Sequence, residues 1–258
     1  MPRVKTKLKI YHLDIETAPA ECLSFSLWPK FISPSNVLSY GYTLCWAGMW
    51  EGERDVQFAS IHEDGEEQML RKIHGLLDEA DAVVHYNGTK FDMPTLNREF
   101  VRYGMAPPSH YHQIDLLKTV RRQFRFESNK LDVVCQRLGL GAKTSHTGIQ
   151  LWKDCMNGDA KGWKLMKKYN IQDIKLLRKL YRYLLPWILN HPNVGMWIED
   201  PSKPVCCTCG STNLTLKGEQ HNTKVASYKR YSCNSCGTPL RARLQARKTS
   251  ENVLMRSQ

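Results

Sequence analysis

The sequence predicts an α/β domain followed by a small module held together by cysteines. Three features predict it. β-rich apolar segments crowd the first sixty residues, helical periodicity alternates with short apolar runs to about residue 185, and two Cys-x-x-Cys-Gly pairs appear only after residue 200.

The elements follow in order. Lys7 to Ile15 is expected to be a strand with the acidic pair Asp14 and Glu16 at its end. Val37 to Trp50 and Asp55 to Ser60 are apolar and β-rich around Glu51-Gly52-Glu53, a hairpin signal. Met69, Leu70, Ile73, Leu76 and Leu77 give 66–80 a helical period, and Ala82 to Tyr86 is short enough and apolar enough for a buried strand. Pro94 is expected to open a helix running to about Tyr103, since proline is tolerated in a first turn. Helices are expected over 115–124 and over 130–138, the latter stopped by Gly139, and a long amphipathic one from Gly162 to about Leu185. Residues 191–204, with Pro192, Pro201 and Pro204, are expected to link the main domain (1–190) to the cysteine module (205–248), ahead of a flexible tail (249–258).

Composition narrows the class. A hydrophobic fraction of 41% with 24% charged residues allows a buried core in a chain of 258 residues, and the apolar runs fall short of a membrane span. The basic N-terminus precedes a mixed strand, not a signal-peptide apolar region, so an intracellular chain with no membrane partner is expected. Nine cysteines in that setting favour metal binding or free thiols over disulfides. The net charge is +12, of which residues 201–258 carry +8 with ten Lys/Arg and two acids. With four thiolates on a zinc ion that segment would fall to about +6, still suited to a polyanion such as nucleic acid.

Three segments carry the chemistry. Asp14 and Glu16, two apart on a strand, point to one face. Asn87, Phe91 and Asp92 follow the short strand, and Tyr169 and Asp173, four apart on the long helix, share a face. Converging carboxylates are what divalent-metal chemistry on phosphates requires, and their hard oxygens suit Mg²⁺ or Mn²⁺.

These segments resemble the ExoI (Asp-Ile-Glu-Thr, 14–17), ExoII (Asn87, Phe91, Asp92) and ExoIII (Tyr169, Asp173) motifs of the DEDD exonucleases, the DnaQ-like and polymerase proofreading superfamily. The tyrosine resembles the DEDDy branch, and the likeness, over about the first 190 residues, is nearest to the exonuclease domains of family B polymerases and to stand-alone RNase H-like nucleases. It implies an RNase H-like mixed sheet flanked by helices and a 3′–5′ exonuclease using two metal ions about 3.5–4 Å apart. By the same resemblance Asp14, Glu16 and Asp173 would hold the first ion, Asp14 would bridge to the second with Asp92, and Tyr169 would orient the attacking water. Taken alone, Asp92 could equally be a helix cap and Tyr169 a core tyrosine.

Substrate contacts are less determined. Thr17 and Asn87 are expected near the terminal nucleotide. Phe25, Trp28 and Phe31, set among Pro19, Pro29 and Pro34, are expected either to stack on bases or to pack their loop onto the sheet. Lys118, Arg121, Arg122, Arg125 and Lys130 either track phosphates or form a solvated helix face. His85 and His146 have no assignable role.

Cys206, Cys209, Cys233 and Cys236, with 23 residues between the pairs, resemble a zinc ribbon, with Cys207 a poorer alternative to Cys206 because of its spacing. Cys22, Cys45, Cys135, Cys155 and Cys207 are expected to pack or remain free. Lys224, Lys229, Arg230, Arg241, Arg243, Arg247 and Lys248, interleaved with Tyr228 and Tyr231, suit nucleic acid. The expected function is metal-dependent hydrolysis at the 3′ ends of single-stranded DNA or frayed ends, in proofreading, replication or repair, with a polymerase as a conceivable partner. A ribonuclease or structure-selective nuclease, and a non-catalytic zinc-ribbon platform that binds nucleic acid, are the alternatives.

Overall fold

A computed structural model describes residues 7–145, 147–198, 203–223 and 226–246, without the side chains of 219 and 220. His146, Pro201, Lys224, Arg247, Lys248 and the tail 249–258 lie outside the described residues. The chain divides into two units, Lys9–Arg182 and a second from Tyr183 onward.

The first unit is built on five strands: β1 (Ile10–Thr17), β4 (Thr43–Trp50), β5 (Gln57–Ser60), β6 (Ala82–His85) and β7 (His112–Asp115), in the order β5-β4-β1-β6-β7. β1 runs antiparallel to β4 and parallel to β6, and β6 is parallel to β7, so the sheet is mixed as expected. Between β1 and β4 the chain makes a small hairpin of β2 (Glu21–Cys22) and β3 (Val37–Ser39). The helices are α1 (Ile61–Asp64), α2 (Glu66–Glu79), α3 (Asp92–Arg102), α4 (Leu116–Gln123), α5 (Leu131–Arg137), α6 (Ile149–Met156) and α7 (Ala160–Leu184).

Alternation along β1 sorts the layers. Tyr11, Leu13 and Ile15 pack with Met69, Leu70, Ile73 and Leu77 of α2 and Met93, Leu96 and Phe100 of α3. His12 and Asp14 face α7 instead, where His12 lies edge-on to Tyr181 and Asp14 meets Asn170. A further core joins Leu44 and Cys45 of β4 to Leu151 and Cys155 of α6 and Trp163, Met166 and Tyr169 of α7. Helices therefore cover both faces of the sheet.

Several boundaries differ from expectation for local reasons. β1 is shifted to Ile10–Thr17, so the acidic pair lies within the strand, held by pairing of Asp14 with Ala47 and Glu16 with Cys45. The run 37–50 breaks at Tyr40–Tyr42, where the chain passes so close to Ala18 that a Cβ on Gly41 would stand 2.7 Å from the Ala18 carbonyl oxygen. α3 starts at Asp92, not Pro94, because the amide of Met93 already bonds the Gly88 carbonyl. β7 and α6 carried too little local patterning to be expected: β7 is four residues long and only Ile114 and Asp115 are buried.

The second unit contains β8 (Leu214–Asn222), β9 (Ser227–Cys233) and β10 (Pro239–Arg241), an antiparallel sheet in the order β10-β9-β8. The front of the expected linker is ordered: Val194–Trp197 forms a 3₁₀ turn whose Val194 amide bonds the Cys207 carbonyl at 2.7 Å.

Two glycines offer a test of the packing. A Cβ on Gly48 would lie 2.3 Å from the hydroxyl of fully buried Tyr11, whereas one on Gly75, within α2, meets nothing within 4 Å. Gly48→Ala should destabilise the fold by about 1–3 kcal/mol through overpacking. Gly75→Ala should stabilise it by about 0.5–1 kcal/mol through helix propensity. Urea unfolding of the two variants measures both signs.

Candidate metal centres and nucleic-acid contacts

The expected carboxylates converge where β1 and α7 cross. Asp14, Glu16 and Asp173 each offer an oxygen within 4.8 Å of the others. β1 alternation supplies the first two, and α7 brings Asp173 to them with Asn170 one turn before it. The Asn170 amide donates to Asp14 Oδ2 at 2.7 Å. Asp92 is buried next to this set, and its Oδ1 accepts from the Ile15 amide at 3.2 Å. It stands as the first residue of α3 with Phe91 in the cap position, so the helix-cap reading does not hold. It also falls outside the three-residue group that converges.

Lys143 and Asn170 are parts that sequence reasoning missed. The Lys143 ammonium pairs with Asp173 and donates to the Tyr169 hydroxyl at 3.1 Å, and its backbone amide is held by Asp132 Oδ1 at 2.7 Å. Lys143 lies in an irregular segment thirty residues before Asp173, so nothing local marks it. Asn170 carried a legible signal, one helical turn from Asp173 and beside Tyr169. Tyr169 is buried, hydrogen-bonds Asp173 and meets Trp152 edge-on, while Trp152 hydrogen-bonds Glu16.

Electrostatics match this crowding. Burial, then repulsion from Glu16, Asp92 and Asp173, pushes the Asp14 carboxyl well above the usual range. Burial pushes Glu16 up to about 8 and Asp92 up to about 7. Asp173 is raised by burial and pulled back by the Lys143 ammonium. Its Oδ1 is buried with no hydrogen-bond partner among the described residues. A cluster of hard oxygens that is costly to ionise, with an unsatisfied buried oxygen, fits a divalent cation.

Asn87 sits at φ 70, and Asp115 Oδ1 accepts its amide at 2.9 Å together with that of Leu117 at 3.1 Å. Asp115 is thus a second unpredicted support, fixing Asn87 in a left-handed conformation while capping α4. Thr17 lies at the β-bulge ending β1. Phe25 and Trp28 are 110% and 88% exposed and Phe31 is 79% exposed, so the hairpin loop is not packed onto the sheet.

In the second unit the four expected cysteines come together and Cys207 stays outside the group, exposed. The Sγ atoms of Cys206 and Cys236 are 3.7 Å apart and those of Cys209 and Cys233 are 3.6 Å apart. A disulfide requires about 2.05 Å. The edge of a tetrahedron with Zn–S of about 2.3 Å is about 3.8 Å, so the donor set fits zinc. Each knuckle turns at a glycine, Gly210 (φ 74) and Gly237 (φ 81), whose amides return to the Cys206 and Cys233 carbonyls. Amides of Ser235 and Cys236 bond Cys233, whose thiol is held down to about 7 despite burial. Lys217 pairs with Arg230, and Arg230 with Arg241, in one cross-strand row, with the Arg241 guanidinium 4.2 Å over Tyr228. Lys229 and Arg243 are exposed.

Residues 39–185 match the family model RNase_H_2, described as RNase_H superfamily. The chain belongs to the RNase H superfamily. No curated protein matches it. Among solved structures it is similar to the family B DNA polymerase of the hyperthermophilic archaeon Pyrobaculum calidifontis, with 16% identity and a TM-score of 0.54. That likeness covers 69% of this chain and 25% of the polymerase, and at this identity it shows the fold. The RNase H family model begins after β1, so the Asp14–Glu16 pair is supplied by the strand just before the matched span. Among the described residues no helix is long and apolar enough to cross a membrane.

Two predictions follow from these centres. Unfolded carboxyls titrate near 4, so between about pH 4 and 8 Glu16 and Asp92 hold more protons in the folded chain than in the unfolded one. The stability linked to Glu16 and Asp92 is therefore complete below about pH 4 and lost as pH rises through about 7 to 8. Burial lowers the pKa of His12, His85 and His191, which acts in the opposite sense up to about pH 6.5. Without added Mg²⁺ or Mn²⁺, Tm should therefore fall from about pH 6.5 to 9, and the increment given by Mn²⁺ should grow over that window. Thermal melts with zinc retained check this, and a pH-independent increment would contradict it. In the ribbon, Cys206→Ser should abolish binding of one zinc per chain while Cys207→Ser preserves it, as read by metal analysis of the purified proteins.

Proposed function

We propose that this chain is a metal-dependent nuclease that removes nucleotides from the 3′ ends of single-stranded or frayed DNA. The observation that carries the reading is the convergence of Asp14, Glu16 and Asp173 around an unsatisfied Asp173 oxygen at the crossing of β1 and α7. The 3′–5′ direction is supported by the DEDDy-type pattern of Asp14, Glu16, Asp92, Tyr169 and Asp173 and by the likeness to a polymerase that carries such a fold.

Asp14, Glu16 and Asp173 would hold one Mg²⁺ or Mn²⁺, and Asp14 with Asp92 a second. Cations held there supply charge neutralisation at the phosphate and ease the deprotonation of water. The chain's own residues do the rest. Asn170 orients Asp14, and the Ile15 amide orients Asp92. Lys143 pairs with Asp173, opposing the upward shift that burial gives its carboxyl, and fixes the Tyr169 hydroxyl beside it, where that hydroxyl can align the attacking water. Burial raises the Tyr169 pKa, so its hydroxyl serves as a neutral hydrogen-bonding group and not as a base.

Thr17 and Asn87 would receive the terminal nucleotide, and the exposed Phe25 and Trp28 would stack on bases entering the site, worth about 1–3 kcal/mol per base. In the ribbon, the row Lys217, Arg230, Arg241 places like charges opposite one another, which a phosphate backbone would relieve. Lys229 and Arg243 would add to this charge. Tethering a strand there would raise its effective concentration at the metal site. Service to a DNA polymerase as a separate proofreader is the biological role this activity would fit.

A 5′-labelled single-stranded oligodeoxynucleotide with Mg²⁺ or Mn²⁺ tests the reading. The wild-type chain should give a descending ladder that a 3′-terminal phosphorothioate blocks, and Asp14→Ala should lower the rate at least about 10³-fold. Cleavage of RNA alone would move the reading to a ribonuclease. Tight binding without cleavage of either polymer would sink the enzyme reading.

A further inference from the structure

Where α4 ends, the chain folds around a hollow of about 420 Å³ lined by Arg121, Arg122, Phe124, Arg125, Phe126 and Asn129. That volume lies within the range of about 300–1,000 Å³ that ligand sites occupy. Arg121, Arg122 and Arg125 are exposed, and none has an ion pair among the described residues. The acid nearest in sequence, Glu127, is engaged by Arg137 at 3.2 Å instead. The rings of Phe124 and Phe126 stand 5.8 Å apart at 49°, and both are half-buried. Asn129 Oδ1 is buried with no hydrogen-bond partner among the described residues.

Capping of α4 accounts for some of this charge, since cations near a helix C-terminus are favourable. It does not account for an arginine beyond the helix, for two phenyl rings lining the same hollow, or for the buried Asn129 oxygen with no partner among the described residues. Guanidinium forks bind phosphate in a bidentate way, and a phenyl face accepts any base. The hollow is also tied to the metal site: the Tyr86 hydroxyl donates to the Asn129 carbonyl at 2.6 Å, and Tyr86 directly precedes Asn87. From Asn129 the chain enters α5, whose Asp132 holds the backbone of Lys143.

We infer that this hollow is a nucleic-acid subsite that seats a phosphate and base of the substrate strand, upstream of its 3′ terminus. The inference rests on the proposed function for its substrate. Arg121 and Arg125 hold the phosphate, and the Phe124–Phe126 pair takes the base, so the strand is gripped at a distance from the bond that is cut.

The full-length chain tests this in two arms. In the first, binding of a dT12 oligonucleotide is followed by anisotropy in Ca²⁺ between 50 and 200 mM salt, comparing wild type with the double variant Arg121→Ala/Arg125→Ala. The variant should bind at least about tenfold more weakly, with a log–log salt slope smaller by about 0.7, since one single-strand phosphate contact contributes about 0.7. In the second, hydrolysis of the p-nitrophenyl ester of thymidine 5′-monophosphate, too small to reach the hollow, should be unchanged by the double substitution. Equal affinity and equal slope in the two proteins would overturn the subsite. Failure of the wild type to hydrolyse either ester or oligonucleotide would instead count against the nuclease reading, while the binding comparison still decides the hollow.

Discussion

The first unit depends on one costly act: carboxylates from a strand and two helices are brought out of water into the same small space. Desolvation and mutual repulsion both oppose it, which is why Asp14, Glu16, Asp92 and Asp173 are all shifted upward. The offset comes from elsewhere along the same helix. Met166, Ile174, Leu177 and Leu180 of α7 are buried, and each such side chain contributes about 1.5–3 kcal/mol. The helix is pinned by its apolar face, and the acids are carried into place by that pinning.

Around the acids, each support is specific to one oxygen or one backbone group. Asn170 serves Asp14, the Ile15 amide serves Asp92, and Lys143 serves Asp173 and Tyr169. Asp115 serves Asn87, whose left-handed backbone would otherwise cost about 1–2 kcal/mol. The acids ride on regular elements, which hold geometry closely, while two of the supports, Lys143 and Asp115, come from a loop and a helix cap.

The donor groups of the two units differ in hardness. Carboxylate oxygens in the first unit suit Mg²⁺ or Mn²⁺, and the four thiolates of the second suit zinc. Few side chains among the described residues of the three-stranded sheet are buried, so a metal at the Cys206–Cys236 cluster would supply cohesion that so small a core lacks. Both units also gather cations, Arg121, Arg122 and Arg125 at the α4 hollow and Lys217, Arg230 and Arg241 along the β8–β9–β10 row.

How much was legible follows from the range of each interaction. Strand alternation and helical spacing are local, so the sequence by itself determined that Asp14 and Glu16 share a face, that Tyr169 and Asp173 share another, and that four cysteines form two knuckles. The mixed α/β class and most helix boundaries were legible for the same reason, with errors where tertiary contact overrode local preference. The near approach of Gly41 to Ala18 split an apolar run, and the Met93–Gly88 bond moved the start of α3. Only the tertiary structure decided that Lys143 reaches Asp173, that Asp115 props Asn87, that the Phe25–Trp28 loop stands in solvent, and that Arg121 and Arg125 flank a hollow joined to Tyr86. Each of these joins segments far apart in the chain or depends on what a surface is not packed against, and neither property has a local spacing to betray it.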